Sequence, residues 1–410
     1  MSHTVIIGGS HAGVAAAAEL RKHDAGMQIT LVCAEDALPY QRPPLSKAYM
    51  SGDMSLDRLR LRPEEWYADN AISLKLGVAA TAIDRQEKQV RLANGETLSY
   101  DTLVLATGGD ARRLPAEIGG ELANVRVMRT LADADGLMAE MRPGRKLVVI
   151  GGGYIGLEAA AEAAKKGLDV TVIEAAERIL KRVACEETAN AFRALHQSHG
   201  VTVLEDTQIE RLVETDGVAT AVRLANGEEL PLDLAIVGIG IAPNVDLAQA
   251  AGLDVSVGVT VDDHGRSSDP AIYAAGDCTI LPFDNMPTRL ESVQNANDQA
   301  TAVAANICGV DTVYSPHPWF WSDQYDMKLQ IAGLNRGYDA VVVRPGKREG
   351  SVSHFYFRQD RFIAVDCLND AATYAMSRKL LEGGAEITAS QIADPDFDLR
   401  ATMKALQAAG

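Results

Sequence analysis

Apolar residues in this chain gather into short unbroken runs instead of alternating ones. Val5-Ile6-Ile7, Ile29-Thr30-Leu31-Val32, Val148-Val149-Ile150 and Val170-Thr171-Val172-Ile173 are too short for helices and too uniformly apolar for half-exposed strands. Strands covered on both faces of a parallel sheet read this way. Between the two runs of each pair lies an Ala-rich stretch of helical character, so the pattern predicts two strand–helix–strand units. The first run of each pair ends in a glycine turn. The segment Val5 to Gly13 recurs in form at Val148 to Gly156, 143 residues later (148 minus 5). Arg91-Leu92-Ala93-Asn94-Gly95-Glu96 is matched residue for residue by Arg223-Leu224-Ala225-Asn226-Gly227-Glu228. Asn-Gly between two β-type runs is hairpin chemistry. Both hairpins lead into an apolar run closed by glycines, Leu103 to Gly109 and Leu234 to Gly240. The chain therefore carries two copies of one nucleotide-binding design.

Beyond the second copy the pattern changes. Ser268 to Asp277 reads as a turn, a short apolar strand and a glycine ending in an acid, and Gln294 to Gly309 as an Ala-rich helix. The aromatic segment Trp319-Phe320-Trp321 opens a last region with strand-like runs at 340–344, 351–357 and 361–367, a helix near 371–383 and a terminal capping helix. The expected fold is α/β, with two Rossmann-like dinucleotide-binding domains in a glutathione-reductase-like arrangement plus a C-terminal α/β domain. The expected boundaries are 1–112 with 245–315 for a discontinuous first domain, 113–244 for the second, and 316–410 for the third.

Composition narrows the function classes. A net charge of −17 argues against nucleic-acid binding, which needs clustered Lys and Arg. Residues 315–410 hold 11 basic and 12 acidic side chains, about −1, which leaves −16 on the remainder. Within 328–361, seven basic residues (Lys328, Arg336, Arg344, Lys347, Arg348, Arg358, Arg361) face three acidic ones, a candidate docking patch for an acidic partner. The five cysteines are scattered, with no disulfide framework or metal-ligand spacing. No run reaches the roughly 18 apolar residues of a membrane span, and no signal-peptide pattern precedes Val5, so a cytoplasmic protein without membrane contact is expected.

The glycine turns carry the chemistry. A dinucleotide pyrophosphate needs backbone N–H groups at a helix N-terminus and little side chain in the way. Gly8 and Gly13 meet the outer positions of the first turn, with Ser10, His11 and Ala12 between them; Ser10 stands where a glycine is usual. Glu35, after the second strand, is placed to accept ribose hydroxyls. The second turn is complete, with Gly151, Gly153 and Gly156 enclosing Tyr154 and Ile155. Its acid is Glu174, whose charge sits where a 2′-phosphate would go and favours NADH over NADPH. Arg178 and Arg182 nearby leave some tolerance for NADPH. Two such sites in one chain point to electron transfer between a nicotinamide and a flavin, FAD at the first turn and NADH at the second. Ala80 joins the FAD set and Gly240 the NADH set as candidate contacts. No closely spaced cysteine pair exists, so no thiol relays the electrons and no iron–sulfur cluster is bound.

Four further segments bring a known family into view: Pro39-Tyr40-Gln41-Arg42-Pro43-Pro44-Leu45-Ser46-Lys47, Ala106-Thr107-Gly108, Ala274-Ala275-Gly276-Asp277-Cys278 and Trp319-Phe320-Trp321-Ser322-Asp323-Gln324. Together they resemble the FAD-dependent NADH:ferredoxin reductase family of putidaredoxin, rubredoxin and Rieske-oxygenase reductase type, over nearly the whole chain. The resemblance implies a catalytic set of Lys47 beside the flavin, Glu158 as its ion-pair partner, and Trp321 as the aromatic on the carrier side. It implies FAD contacts from Arg42, Pro43, Ala106, Thr107, Gly108, Arg129, Gly276, Asp277 and Val293. It implies hydride transfer from NADH to FAD, then single electrons to a small acidic [2Fe–2S] ferredoxin serving a cytochrome P450 or a Rieske oxygenase, with the enzyme a monomer or weak dimer. A rubredoxin reductase is the alternative. A flavin redox sensor of the apoptosis-inducing-factor type is more distant, because such proteins carry basic nucleic-acid-binding surfaces.

Overall fold

The structure, a computed structural model, describes residues 2–409. The chain forms two compact units. One comprises Met1–Pro44, Met54–Asp110 and Ile241–Pro316; the other comprises Leu45–Asp53, Ala111–Gly240 and His317–Gly410.

The first unit is built on a five-stranded parallel sheet in the order Ile272–Ala274, Thr102–Leu105, His3–Ile7, Gln28–Val32, Ile72–Lys75. Its central strands are buried on both faces, as the uninterrupted apolar runs require. Helices His11–His23 and Val293–Ile307 pack together on the sheet, and Ile6, Leu20, Leu31, Val104, Tyr273 and Val303 meet in their shared core. The Asn94-Gly95 hairpin lies in a small antiparallel sheet of Ala80–Asp84, Gln89–Leu92 and Thr97–Ser99, with Gly95 at φ +87.

The second unit repeats this plan with Thr202–Leu204, Asp169–Ile173, Lys146–Ile150, Leu234–Val237 and Val125–Val127, again parallel. The Asn226-Gly227 hairpin falls in the matching antiparallel sheet of Ile209–Thr215, Val218–Leu224 and Glu229–Pro231. The two parallel sheets differ in the origin of one edge strand. It follows the other four in the first unit and precedes them in the second.

The C-terminal sheet also lies in the second unit, in the antiparallel order Trp319–Gln324, Met327–Gly333, Arg361–Leu368, Val352–Arg358, Ala340–Pro345. One face carries Phe355, Phe357, Val365 and Cys367 against helices Ala371–Glu382 and Leu399–Ala409. The other face meets helices Tyr154–Lys165 and Glu186–Ser198 through polar contacts. There the Thr188 hydroxyl donates to Asp366 Oδ2 at 2.8 Å, and His354 Nδ1 lies 2.7 Å from Thr188 Oγ1. Tyr356 OH donates to the same carboxylate oxygen. Asp366 is 1% exposed and has no lysine or arginine paired with it among the described residues, so burial pushes its carboxyl up to about 7.

Candidate functional site

Both glycine turns are compulsory for packing. At the first, Gly8 has φ +119, and a Cβ there would stand 2.0 Å from the Ala106 carbonyl oxygen; one at Gly13 would stand 1.9 Å from that of Gly8. At the second, Gly151 has φ +108, and a Cβ at Gly156 would meet the Gly151 oxygen at 2.2 Å. These glycines bring strand, turn and helix into backbone contact. Gly153 differs: a Cβ there meets nothing within 4 Å, so this residue faces open space.

The helices that follow begin alike. Ser10 caps His11–His23 by position but makes no side-chain cap bond, Gly153 has no side chain to offer, and neither first turn carries an acid. Elsewhere Thr130, Ser292 and Asp370 side chains cap their helices, and Glu186 and Glu187 fill the first turn of another. Helix N-termini left without an oxygen ligand suit a bound anion. His11 and Ala12, Tyr154 and Ile155 are the first helical residues of the two turns; Ile155 is 41% exposed. The two turns thus fit the pyrophosphates of FAD and NADH.

The two acids are wired differently. Glu35 accepts from Arg42 Nη2 at 2.7 Å and from Tyr40 OH at 2.5 Å. Glu174 turns inward, accepting from the Gly152 and Ala176 amides, both at 2.7 Å. Each oxygen keeps lone-pair capacity for a ribose hydroxyl. Arg178 is spent on the carbonyls of Ala184 and Cys185, so it supports the 179–185 loop and is no reserve for a 2′-phosphate. Arg182 is exposed, its guanidinium 3.7 Å from a Cβ placed on Gly240.

The remaining candidates of the first unit cluster around two turns. Gly276, at φ +86, donates its amide to Gln299 Oε1 at 2.8 Å, and Thr279 donates to the same oxygen at 3.1 Å, which fixes Asp277 at the strand end. Thr107 donates to the Asn244 carbonyl at 2.7 Å, and the Asn244 amide donates to Gly108, following Ala106. Val293 opens the long helix capped by Ser292, Ala80 opens the small sheet, and Pro43 begins a 3-10 turn through Ser46.

In the second unit, Glu158 is 3% exposed and accepts three side-chain donors. Lys47 Nζ (2.6 Å) and Ser46 Oγ (2.7 Å) reach Oε2, and Ser322 Oγ (2.6 Å) reaches Oε1. A buried carboxylate needs such partners to offset the hydration it has lost. Trp321 is half-buried on the edge strand, tilted against Trp319 at 5.6 Å, and Arg378 lies over the Trp319 ring at 5.5 Å. Arg129 precedes Thr130, and its amide donates to Asp133. Burial raises all five thiols, Cys33 to about 12 with Glu35 adding to it, so none is a ready nucleophile or relay.

Lys47 and Glu158 thus meet as expected. Sequence reasoning assigned no role to Ser46, Ser322, Gln299 or Asn244; the first two lie inside the quoted motifs, and the last two have no signal beyond helix and turn position. The basic stretch 328–361 does not form one patch. Lys328, Lys347 and Arg348 sit at one end of the C-terminal sheet and Arg336, Arg358 and Arg361 at the other. Strands of this length hold the ends roughly 20 Å apart. Arg344 is bound to the Pro395 and Phe397 carbonyls.

Residues 2–300 match the pyridine nucleotide-disulphide oxidoreductase family, and residues 319–403 match the reductase C-terminal family. The ferredoxin–NAD(P)(+) reductase of Sphingomonas sp is 44% identical over 401 residues, covering 97% of this chain and 96% of that protein. The rubredoxin-NAD(+) reductase of Pseudomonas putida is 41% identical over 368 residues, covering 89% and 95%. Among solved structures, the covalent putidaredoxin reductase–putidaredoxin complex superposes with a TM-score of 0.95 at 38% identity, covering 99% of each chain.

Proposed function

The chain belongs to the pyridine nucleotide-disulphide oxidoreductase family, and from that premise we propose that it is an NADH-dependent, FAD-containing reductase of [2Fe–2S] ferredoxins. The observation that carries this reading is the pairing of two uncapped glycine-turn helices with the absence of any thiol able to relay electrons. When bound, FAD supplies a ring that accepts a hydride from NADH and releases its electrons singly.

The residues of this chain bind, orient and neutralise. Gly8, Ser10, His11, Ala12 and Gly13 would take the FAD pyrophosphate, and Glu35, steadied by Arg42, the adenosine ribose. Ala80, Ala106, Thr107, Gly108, Arg129, Gly276, Asp277 and Val293 would complete the FAD set. Gly151, Gly153, Tyr154, Ile155, Gly156 and Gly240 would hold NADH, with Glu174 at its ribose and Arg182 at the rim. Lys47 is the cation of the flavin-facing pair; Glu158 aims it, and Trp321 is the aromatic of the exit side. In this reading 1–112 with 245–315 is the FAD region, 113–244 the NADH region and 316–410 the carrier-facing region.

The ferredoxin in turn would serve a cytochrome P450 or a Rieske oxygenase. No helix among the described residues is long and apolar enough to cross a membrane. Five unpaired cysteines fit a reducing compartment, and we place the protein in the cytoplasm. Rubredoxin is the second candidate carrier, because a rubredoxin reductase stands among the full-length relatives. Anaerobic mixing of the FAD-loaded protein with NADH should bleach the flavin within one turnover. Parallel assays with a [2Fe–2S] ferredoxin and a rubredoxin should favour the ferredoxin. Preference for rubredoxin would exchange the two acceptors, and a protein that NADH does not bleach would end the reading.

A further inference from the structure

The Lys47–Glu158 pair is the near end of a longer buried chain. Ser322 Oγ, which donates to Glu158 Oε1, accepts from Gln324 Nε2 at 3.1 Å. Gln324 Oε1 lies 2.7 Å from His196 Nε2 on helix Glu186–Ser198. Glu158, Ser322, Gln324 and His196 are 3%, 0%, 1% and 0% exposed. The chain ends there, because His196 Nδ1 is buried with no partner among the described residues.

The direction of each bond follows from chemistry. An amide oxygen only accepts, so His196 must donate from Nε2–H. Burial lowers the affinity of this imidazole for a second proton, which leaves Nδ1 as a bare lone pair. Gln324 then donates from its amide to Ser322, and Ser322 donates its hydroxyl proton to Glu158. Every donor points toward the carboxylate. An amide does not pass protons onward, so the chain cannot carry a proton from Glu158 to His196. It can orient dipoles, and it supplies the carboxylate with a fixed donor opposite Lys47.

We infer that Ser322, Gln324 and His196 are positioning residues that hold the Glu158 carboxylate in one orientation, and through it set the direction of Lys47. This deepens the reading of Lys47 as the flavin-side cation and rests on it. The local architecture supports it. Trp319–Gln324 is a strand whose alternate residues Phe320, Ser322 and Gln324 face the helices, while Trp319 and Trp321 face away. One strand thus carries both the proposed exit-side aromatic and the anchor of the ion pair.

The test uses the FAD-loaded full chain and a mutant cycle. Gln324→Met and Ser322→Ala are each made in the natural background and in Glu158→Gln, with Lys47→Met as reference. In the natural background each should slow bleaching of the flavin by NADH about ten-fold. In Glu158→Gln each should change it less than about two-fold, because the residue they act through is already uncharged. Equal effects in both backgrounds would overturn the inference. If Lys47→Met leaves bleaching unchanged, the flavin-side reading fails first and independently. A second readout needs no turnover: with ¹⁵N-labelled histidine, the buried imidazole should show one protonated nitrogen, Nε2, and should lose that signature in Gln324→Met. A signal protonated at Nδ1 alone, or at both nitrogens, would also overturn it. Should Gln324→Met fail to fold, Ser322→Ala carries the same cycle.

Discussion

The two compact units bury different kinds of polar group. In the first, every buried polar side chain among the described residues is neutral, as at Thr4, Thr30, Thr279, Gln294, Asn295 and Gln299. In the second, Glu158, Glu162 and Asp366 are buried together with His196 and His354. The contrast is sharpest where the repeats align: Glu158 in the second helix occupies the position of Ala15 in the first (143 residues apart). One copy of the design supports its turns with amides and hydroxyls, which hold one protonation state. The other unit has placed ionisable groups in its core: Glu158 and Glu162 each have a lysine beside them, whereas burial disfavours the charged forms of Asp366, His196 and His354. Shared ancestry of pattern therefore does not mean shared electrostatics.

Mutations should break this comparison in a definite order. The largest effect is expected from Glu158→Ala, which removes the buried carboxylate that Lys47, Ser46 and Ser322 all donate to; urea unfolding should show a loss of about 4 kcal/mol. The neutral counterpart, Gln299→Ala in the first unit, should lose only about 2 kcal/mol by the same measurement. Next comes the pH dependence of Asp366. Its folded pKa lies near 7, above the ordinary 3.8, so its protonated form stabilises the fold. That stability is complete below about pH 4 and is lost as pH rises through 7, by roughly 4 kcal/mol. Asp366→Asn should flatten the melting-temperature profile of the second unit between pH 4 and pH 8. Smaller is Glu174→Gln, which keeps a turn acceptor but removes the charge; the ratio of NADPH to NADH turnover should rise about ten-fold. Smallest is the exchange of turn residues. Gly153→Ser should raise the KM for NADH about five-fold by filling open space, while Ser10→Gly should leave FAD retention in dialysis within about two-fold.

Much of the fold was legible because its signals are local. Glycine turns, Asn-Gly hairpins and runs buried on both faces are written in consecutive residues, and the structure places them as read. The strand Met327–Gly333 was not read, since Lys328, Gln330 and Gly333 interrupt its apolar character. The basic residues of 328–361 are neighbours in sequence but not in space, because antiparallel strands carry them to opposite ends of one sheet. Lys47 and Glu158 were legible only through the resemblance. Ser322 and Gln324 lay inside a quoted motif whose tryptophans drew attention, although period-two alternation puts these polar residues on the other face. His196 follows Thr188 and Phe192 at helical spacing on the buried face of its helix, but nothing in that spacing tells a silent core imidazole from the end of a hydrogen-bonded chain.

The edge strand Ile272–Ala274 has a bearing on how the protein is made. It pairs with Thr102–Leu105, yet 169 residues separate their facing ends (274 minus 105). All five strands of the second parallel sheet, by contrast, fall between Val125 and Val237. On a ribosome adding roughly 5–20 residues per second, the first sheet waits on the order of 10–30 s with an apolar edge open. During that interval the second sheet has everything it needs to close. Of the two parallel sheets, the one whose first strand is made earlier is the one completed later.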